Sequence, residues 1–393
     1  MPVLTLTIFL GAFLLFQVQP LIAKYILPWF GGGPAVWTVS MLFFQVFLLA
    51  GYAYAHASVR RLRPRAQAWT HLALLVLALT QLPITPSDAW KPTDVSFPTA
   101  RILLLLTVTI GLPYFVLSST APLLQAWFAR ARPGRSPYRL YALSNLGSLI
   151  ALVSYPFVVE PALARSTQAT IWSVAFGLFV VLCGASAMWA LKATGDAGAP
   201  APPSAETDDA PRPGAGVRVR WLALSACASV LFLAVTNQIT MDVAVIPFLW
   251  VLPLALYLLT FILAFDGRPW YVRSLFGVLL VPTVLATVWF MFRGVRASIP
   301  HQLVVYSAMV FVGCMICHGE LSRLKPHPRY LTGFYLTVAL GGALGGVFVA
   351  VLAPLLFNEY LELHLALLGV VALALTAIFL DEESRLGGGR PLW

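Results

Sequence analysis

The segment RLYALSNLGSLIALVSYPFVVEP (Arg139–Pro161) and its later echo GFYLTVALGGALGGVFVAVLAP (Gly333–Pro354) decide how this chain is read. Each has the length and apolar content to cross a bilayer, whose hydrocarbon core of about 30 Å needs about 20 residues of α-helix. Tyr141 matches Tyr335, Gly147 matches Gly341, and a proline closes each segment. The two helices therefore read as equivalent members of two repeats.

Working outward from them, apolar runs recur from end to end, and helices and closed barrels are the backbones that satisfy their own polar groups in lipid. Spans are expected near 4–28, 35–57, 68–86, 102–128, 139–159, 168–191, 220–241, 245–265, 273–292, 299–317, 330–356 and 362–380. The expected fold is an all-α polytopic membrane protein with about 12 transmembrane helices in two six-helix pseudo-repeats. The domain plan is a bundle over 1–192, a flexible linker over 193–219, a second bundle over 220–380 and a tail over 381–393. The linker, rich in Pro, Ala, Gly and Asp, has too few apolar residues to offset the entropy of ordering. A second match supports the repeat: Pro34-Ala-Val-Trp37 opens span 2 as Pro247-Phe-Leu-Trp250 opens span 8. Parallel repeats of this kind resemble the build of the major facilitator superfamily.

Composition agrees. The chain is 60% hydrophobic and 10% charged, outside the range of a soluble domain. The net charge of +10 is a topology signal and implies no nucleic-acid partner, because the basic residues follow loop parity. Arg60, Arg61, Arg63 and Arg65, then Arg130, Arg132, Arg135 and Arg139, then Arg268 and Arg273, then Arg323, Lys325 and Arg329 fall on one side. Lys91, Arg101, Arg165, Arg293 and Arg296 fall on the other. The positive-inside rule then places both termini and the linker in the cytoplasm. The first span, with no basic region before it and no cleavage site after it, is expected to be retained.

Four strings carry a resemblance: QPLIAKYILPWFGGGPAVWT (Gln19–Thr38), SSTAPLLQAWFA (Ser118–Ala129), PYRLYALSNLGSLIAL (Pro137–Leu152) and CHGELSRLKPHPRYLTGFYL (Cys317–Leu336). They resemble the membrane portion of the bacterial fused major-facilitator/spermidine-synthase proteins. The resemblance implies a bacterial inner-membrane location. The aminopropyltransferase-like domain that comes after the last span in those relatives has no counterpart in this sequence, so aminopropyl transfer is not expected. The facilitator signature between spans 2 and 3 is incomplete: Gly51 is followed by Tyr, Ala, Tyr and then Ala55 where an acid is usual, with His56 next.

Motifs for catalysis are absent; no H-E-x-x-H, phosphate-binding loop or G-x-S-x-G occurs. Cys314-Met-Ile-Cys317-His318 matches the haem-attachment pattern but lies at the wrong end of its span. As a zinc site it lacks a fourth ligand. No cofactor and no metal is assigned. The residues that suggest function are ionisable or amide groups at membrane depth, which are costly there and usually face a cavity or a partner. Gln17 and Lys24 share one face of span 1, while Asn237, Gln238 and Asp242 lie on span 7. Lys24 and Asp242 read either as an outer gate, as a proton-coupled carboxylate with its counter-charge, or as snorkelling interfacial charges. Asn145 belongs to a polar stripe with Tyr141, Ser144 and Ser148 that lines a cavity or bonds neighbouring helices. Gly341, Gly342, Gly345 and Gly346 read as a close-packing surface.

Two functions fit. One is secondary transport of a small neutral, zwitterionic or anionic solute. The other is a membrane scaffold that docks a protein partner, such as a separate spermidine-synthase-like enzyme or a membrane complex. A central cavity faced by Lys24 and Asp242 would mark the first; one plugged by aromatic and aliphatic side chains would mark the second.

Overall fold

A computed structural model describes residues 2–31, 34–92, 97–132, 135, 137–194, 212–242, 248–266 and 268–379. The first bundle contains α1 (Pro2–Ile26), α2 (Pro34–Arg61), α3 (Pro64–Ala78), α4 (Pro98–Ala131), α5 (Tyr138–Ala162) and α6 (Arg165–Thr194). The second contains α7 (Ala215–Asp242), α8 (Phe248–Phe265), α9 (Arg273–Arg293), α10 (Ile299–Arg323), α11 (Pro328–Leu356) and α12 (Glu362–Phe379). Ten of these are long and apolar enough to span a membrane, and α8 is a shorter apolar helix. The tail and most of the linker lie outside the described residues.

Among the described residues, the outward faces of α6 and α9 lack the polar surface that a soluble protein would need. On α6, Ile171, Val174, Leu178 and Val181 are exposed at a spacing of three and four. On α9, Val278, Val281, Leu285 and Trp289 repeat the pattern. Each makes an apolar stripe facing outward, as lipid requires. The protein is a multi-pass membrane protein.

Packing obeys the repeat. In the first bundle α1 lies against α4, α5 and α6, and α2 against α4; in the second α7 lies against α10, α11 and α12, and α8 against α10. The bundles meet along two seams, α2 on α11 and α5 on α8. The equivalent glycines explain how the helices come so close. A Cβ on Gly147 would stand 2.8 Å from the carbonyl oxygen of Phe9 on α1, and one on Gly341 would stand 2.6 Å from that of Leu222 on α7. Phe9 and Leu222 are themselves equivalent, at the same offset that relates Trp37 to Trp250. A π-helical turn interrupts α5 at Tyr155–Val159 and α11 at Phe348–Leu352, near the same point of each repeat.

The four glycines of α11 divide their work. Gly341 and Gly345 face α7, where Ser225, Ser229 and the Ala226 carbonyl leave no room for a side chain. Gly346 faces Gln45 on α2, and Gly342 has open space in front of it. The signature glycine, Gly51, lets α4 seat Ser118 against α2, and the Ser118 hydroxyl donates to the Phe47 carbonyl at 3.2 Å.

At the end where α1 starts, here called the basic end, each bundle carries a polar clasp. Gln67 Oε1 on α3 accepts from Trp127 Nε1 (3.0 Å) and Arg130 Nη2 (2.5 Å) on α4. In the second bundle Glu320 on α10 accepts from Arg273 Nε (2.8 Å) and Nη2 (2.6 Å), and from the Tyr271 hydroxyl (2.9 Å). Burial, reinforced by the Glu320 carboxylate, pushes the Tyr271 phenol well above its ordinary range, so it stays a donor.

Candidate functional site

Between the bundles lies a cavity of about 140 Å³. On α1 it is lined by Ile8, Ala12, Leu15 and Gln19, a run at helical spacing that puts one face toward the centre. From α2 come Phe44, Gln45 and Tyr52, and from α4 Tyr114 and Ser118. Tyr141, Ser144, Asn145 and Ser148 enter from α5. The second bundle supplies Phe232 of α7, Tyr257 and Phe261 of α8, and Val338, Gly342 and Ala343 of α11. No Asp, Glu, Lys, Arg or His is among the described residues that line it.

Three amides give the cavity its polarity. Gln19 Nε2 donates to the Tyr114 hydroxyl at 3.3 Å, and Gln45 Nε2 donates to Ser229 Oγ at 2.9 Å. Ser229 in turn donates to the Gly342 carbonyl at 2.9 Å, tying α2, α7 and α11 together. Gln19 Oε1, Gln45 Oε1 and Asn145 Nδ2 are buried with no hydrogen-bond partner among the described residues. Two acceptors and one donor in an apolar wall are each costly to leave unmatched.

Toward each end of the cavity an aromatic pair joins the bundles, and these are the residues that define the repeat. At the basic end Tyr141 stacks on Tyr335, ring centroids 4.6 Å apart at 20°. The Tyr335 hydroxyl donates to Gln125 Oε1 of α4 at 3.0 Å, and Phe261 and Phe265 pack edge-on to Tyr141. Nearby, His56 Nδ1 and Thr332 Oγ1 are 2.9 Å apart across the α2–α11 seam. At the opposite end Trp37 stacks on Trp250, centroids 3.6 Å apart at 23°, and Thr38 Oγ1 donates to Asn237 Oδ1 of α7 at 3.0 Å. Both contacts join the two bundles.

The residues singled out in the sequence scatter over this arrangement. Asn145 lines the cavity, and Asn237 bonds across the end opposite the basic one. Gln17 is buried but sits two residues from Gln19, roughly 200° round the helix, and does not line the cavity. Gln238 is half-buried on α7, also outside the lining. Lys24 shares the Gln17 face and forms an ion pair with Glu160 at the end of α5; its ammonium lies 5.8 Å from the Tyr155 ring centroid. The side chain of Asp242 lies outside the described ones. Gln19 and Gln45 are cavity residues that the sequence reading did not single out. The signal for Gln45 was present: it is the lone amide in the apolar run Met41–Leu49 of span 2.

Two equivalent six-helix bundles, a shared cavity and lobe-crossing aromatic stacks toward either end decide the architecture. The chain has the major facilitator fold. Solved structures agree: the partially occluded, inward-open xylose transporter XylE from E. coli is 16% identical, covers 99% of each chain and gives a TM-score of 0.62. A POT family transporter in complex with 5-aminolevulinic acid is 13% identical over 97% of this chain and 96% of its own, with a TM-score of 0.57. The human organic anion transporter MFSD10 is 12% identical over 96% and 98%, at 0.53. No protein-family profile matches the sequence, and no curated protein is similar to it. In this facilitator fold, α2, α5, α8 and α11 form the lobe boundary, and the Tyr and Trp stacks sit on those four helices.

Proposed function

We propose that this chain is a facilitator-type secondary transporter that moves a small uncharged solute by exposing its central cavity to the two sides in turn. The observation that carries this reading is the cavity itself: shared by both bundles, with an aromatic stack joining them toward each end, and lined among the described residues by amides, hydroxyls, aromatic rings and aliphatic side chains without a charge. A charged solute desolvated there would need a counter-ion to offset the cost of losing water. Lys24 is engaged by Glu160 outside the cavity lining and supplies no counter-charge there. The likeness of four segments to the membrane part of the fused facilitator/spermidine-synthase proteins fits a bacterial inner-membrane protein with the basic end in the cytoplasm. Among the described residues, docking of a partner protein has no structural feature in its favour beyond the basic loops.

The test is a melting-temperature screen of the purified protein against uncharged, anionic and cationic solutes of small size. Uncharged solutes bearing both donors and acceptors are expected to stabilise it, and Gln45→Leu and Asn145→Leu are expected to abolish the shift. Stabilisation by ions alone, unchanged in both variants, would overturn the reading.

A further inference from the structure

The cavity between the bundles has two unlike walls. Every amide and every aliphatic hydroxyl among the described residues that line it belongs to the first bundle, Gln19 on α1, Gln45 on α2 and Asn145 on α5 included. The second bundle contributes Phe232, Leu254, Leu258, Phe261 and Val338, with small residues between. Its one hydroxyl among the described lining residues is the Tyr257 phenol. The division runs the length of the cavity. Leu254 stands one helical turn from Trp250 at the far end, and Phe261 packs on Tyr141 at the basic end, ring centroids 6.0 Å apart.

The second wall is also held in place from behind. Phe232, Tyr257 and Phe261 make a continuous panel, with successive ring centroids 5.0 and 5.3 Å apart. The buried His318 ring of α10 stacks on Phe261 at 3.6 Å and meets Tyr257 edge-on. Thr260 fixes that ring. Its hydroxyl donates to the Tyr257 carbonyl at 2.7 Å, so its oxygen accepts from His318 Nδ1–H at 2.8 Å. The panel therefore presents a fixed aromatic face to the cavity. On the first wall Gln19 is only 2% exposed, and its Oε1 has no hydrogen-bond partner among the described residues. A buried acceptor is costly to leave unmatched, so this wall is completed by a donor, whereas the panel is completed by apolar surface.

We propose that the solute is amphipathic: a small uncharged molecule with a hydrogen-bonding edge that includes a donor, and an apolar ring or branched flank opposite. The inference rests on the transport reading above and narrows it. With its edge on the first bundle, such a molecule exchanges water for amide and hydroxyl partners on one side and buries apolar surface on the other. A solute polar all round, such as a sugar or a polyol, loses water from the hydroxyls that face Phe232, Leu258 and Val338 and finds no partner there. Because the walls belong to different bundles, each bundle reads one half of the solute. The solute is fully matched only with both bundles against it.

Probes built on one ring size separate the outcomes: cyclohexanecarboxamide is polar at one edge, myo-inositol is polar all round, and cyclohexanecarboxylate and cyclohexylammonium are the charged counterparts. The full chain carries Ser144→Cys in the cavity, with Cys183, Cys227, Cys314 and Cys317 replaced, and each probe is titrated for its power to slow alkylation of that thiol. The carboxamide should protect at a concentration roughly 10- to 100-fold lower than inositol. Leu258→Asn should narrow that ratio, and the near-isosteric Val338→Thr should do the same if the first variant is too unstable to purify. Asn145→Leu should weaken protection by the carboxamide. Equal potency of carboxamide and inositol, or a ratio unchanged by the wall substitutions, would overturn the amphipathic solute and leave transport of an uncharged solute standing. Protection by neither would overturn it as well. Protection by a charged probe alone would instead overturn the uncharged-solute reading on which it rests.

Discussion

Tyr141 and Tyr335 hold equivalent places in the two repeats and stack on one another across the lobe boundary, centroids 4.6 Å apart. A residue and its own repeat copy thus join the two bundles at the basic end. An aromatic pair contributes about 0.5–1.5 kcal/mol beyond its area burial. Tyr141→Ala is therefore expected to raise the population open at the basic end roughly 2- to 12-fold. The readout is the rate at which an impermeant thiol reagent labels a cysteine at Ser144 from that side. An unchanged rate would remove the stack from the gate.

The tryptophan stack should act with opposite sign. Trp37→Ala weakens the closure at the far end, where Trp37 and Trp250 lie 3.6 Å apart. Two closures that compete for one cavity are linked, so opening one end draws population from the other. Labelling at Ser144 is expected to rise from the far side and fall from the basic side. Parallel increases from both sides would indicate local loosening of the fold instead of a shift between states.

Neighbouring glycines on α11 should differ sharply. Gly341→Ala drives a methyl group onto the Leu222 carbonyl and Ser225, and is expected to cost about 1–3 kcal/mol. Gly147→Ala should cost a similar amount against Phe9. Gly342→Ala meets nothing within 4 Å and should change stability by less than about 0.5 kcal/mol. Thermal melting of the three variants decides this, and equal losses at Gly341 and Gly342 would contradict the packing described.

The Lys24–Glu160 pair is about 30% exposed on both sides, so its coupling should be modest, about 0.2–1 kcal/mol. A double-mutant cycle with Lys24→Ala and Glu160→Ala measures it in melting experiments. Strict additivity would mean that the pair contributes nothing.

The sequence made the two-bundle plan legible because the constraint of the bilayer is strong and the helix period is regular. Tyr141/Tyr335, Gly147/Gly341 and Trp37/Trp250 could be matched from their positions alone, and packing explains each match. The cavity was harder to read. Its α1 face is set by Gln19, which differs from Gln17 only in helical phase, and hydropathy does not define phase when the helix is apolar all round. Glu160 as the partner of Lys24 was hidden for a related reason. The π turn at Tyr155–Val159 adds a residue to the helical repeat and rotates the last turn of the helix, so spacing along α5 does not predict where Glu160 points.

Alternating exposure of one cavity can be tested at Asn145 without knowledge of the solute. In a background in which Cys183, Cys227, Cys314 and Cys317 are replaced, Asn145→Cys is challenged with an impermeant thiol reagent in right-side-out and in inside-out vesicles. Reaction from both sides is predicted, with Tyr141→Ala favouring the basic side and Trp37→Ala the other. A cysteine at 145 that reacts from one side only, or from neither, in all three backgrounds would contradict transport through this cavity.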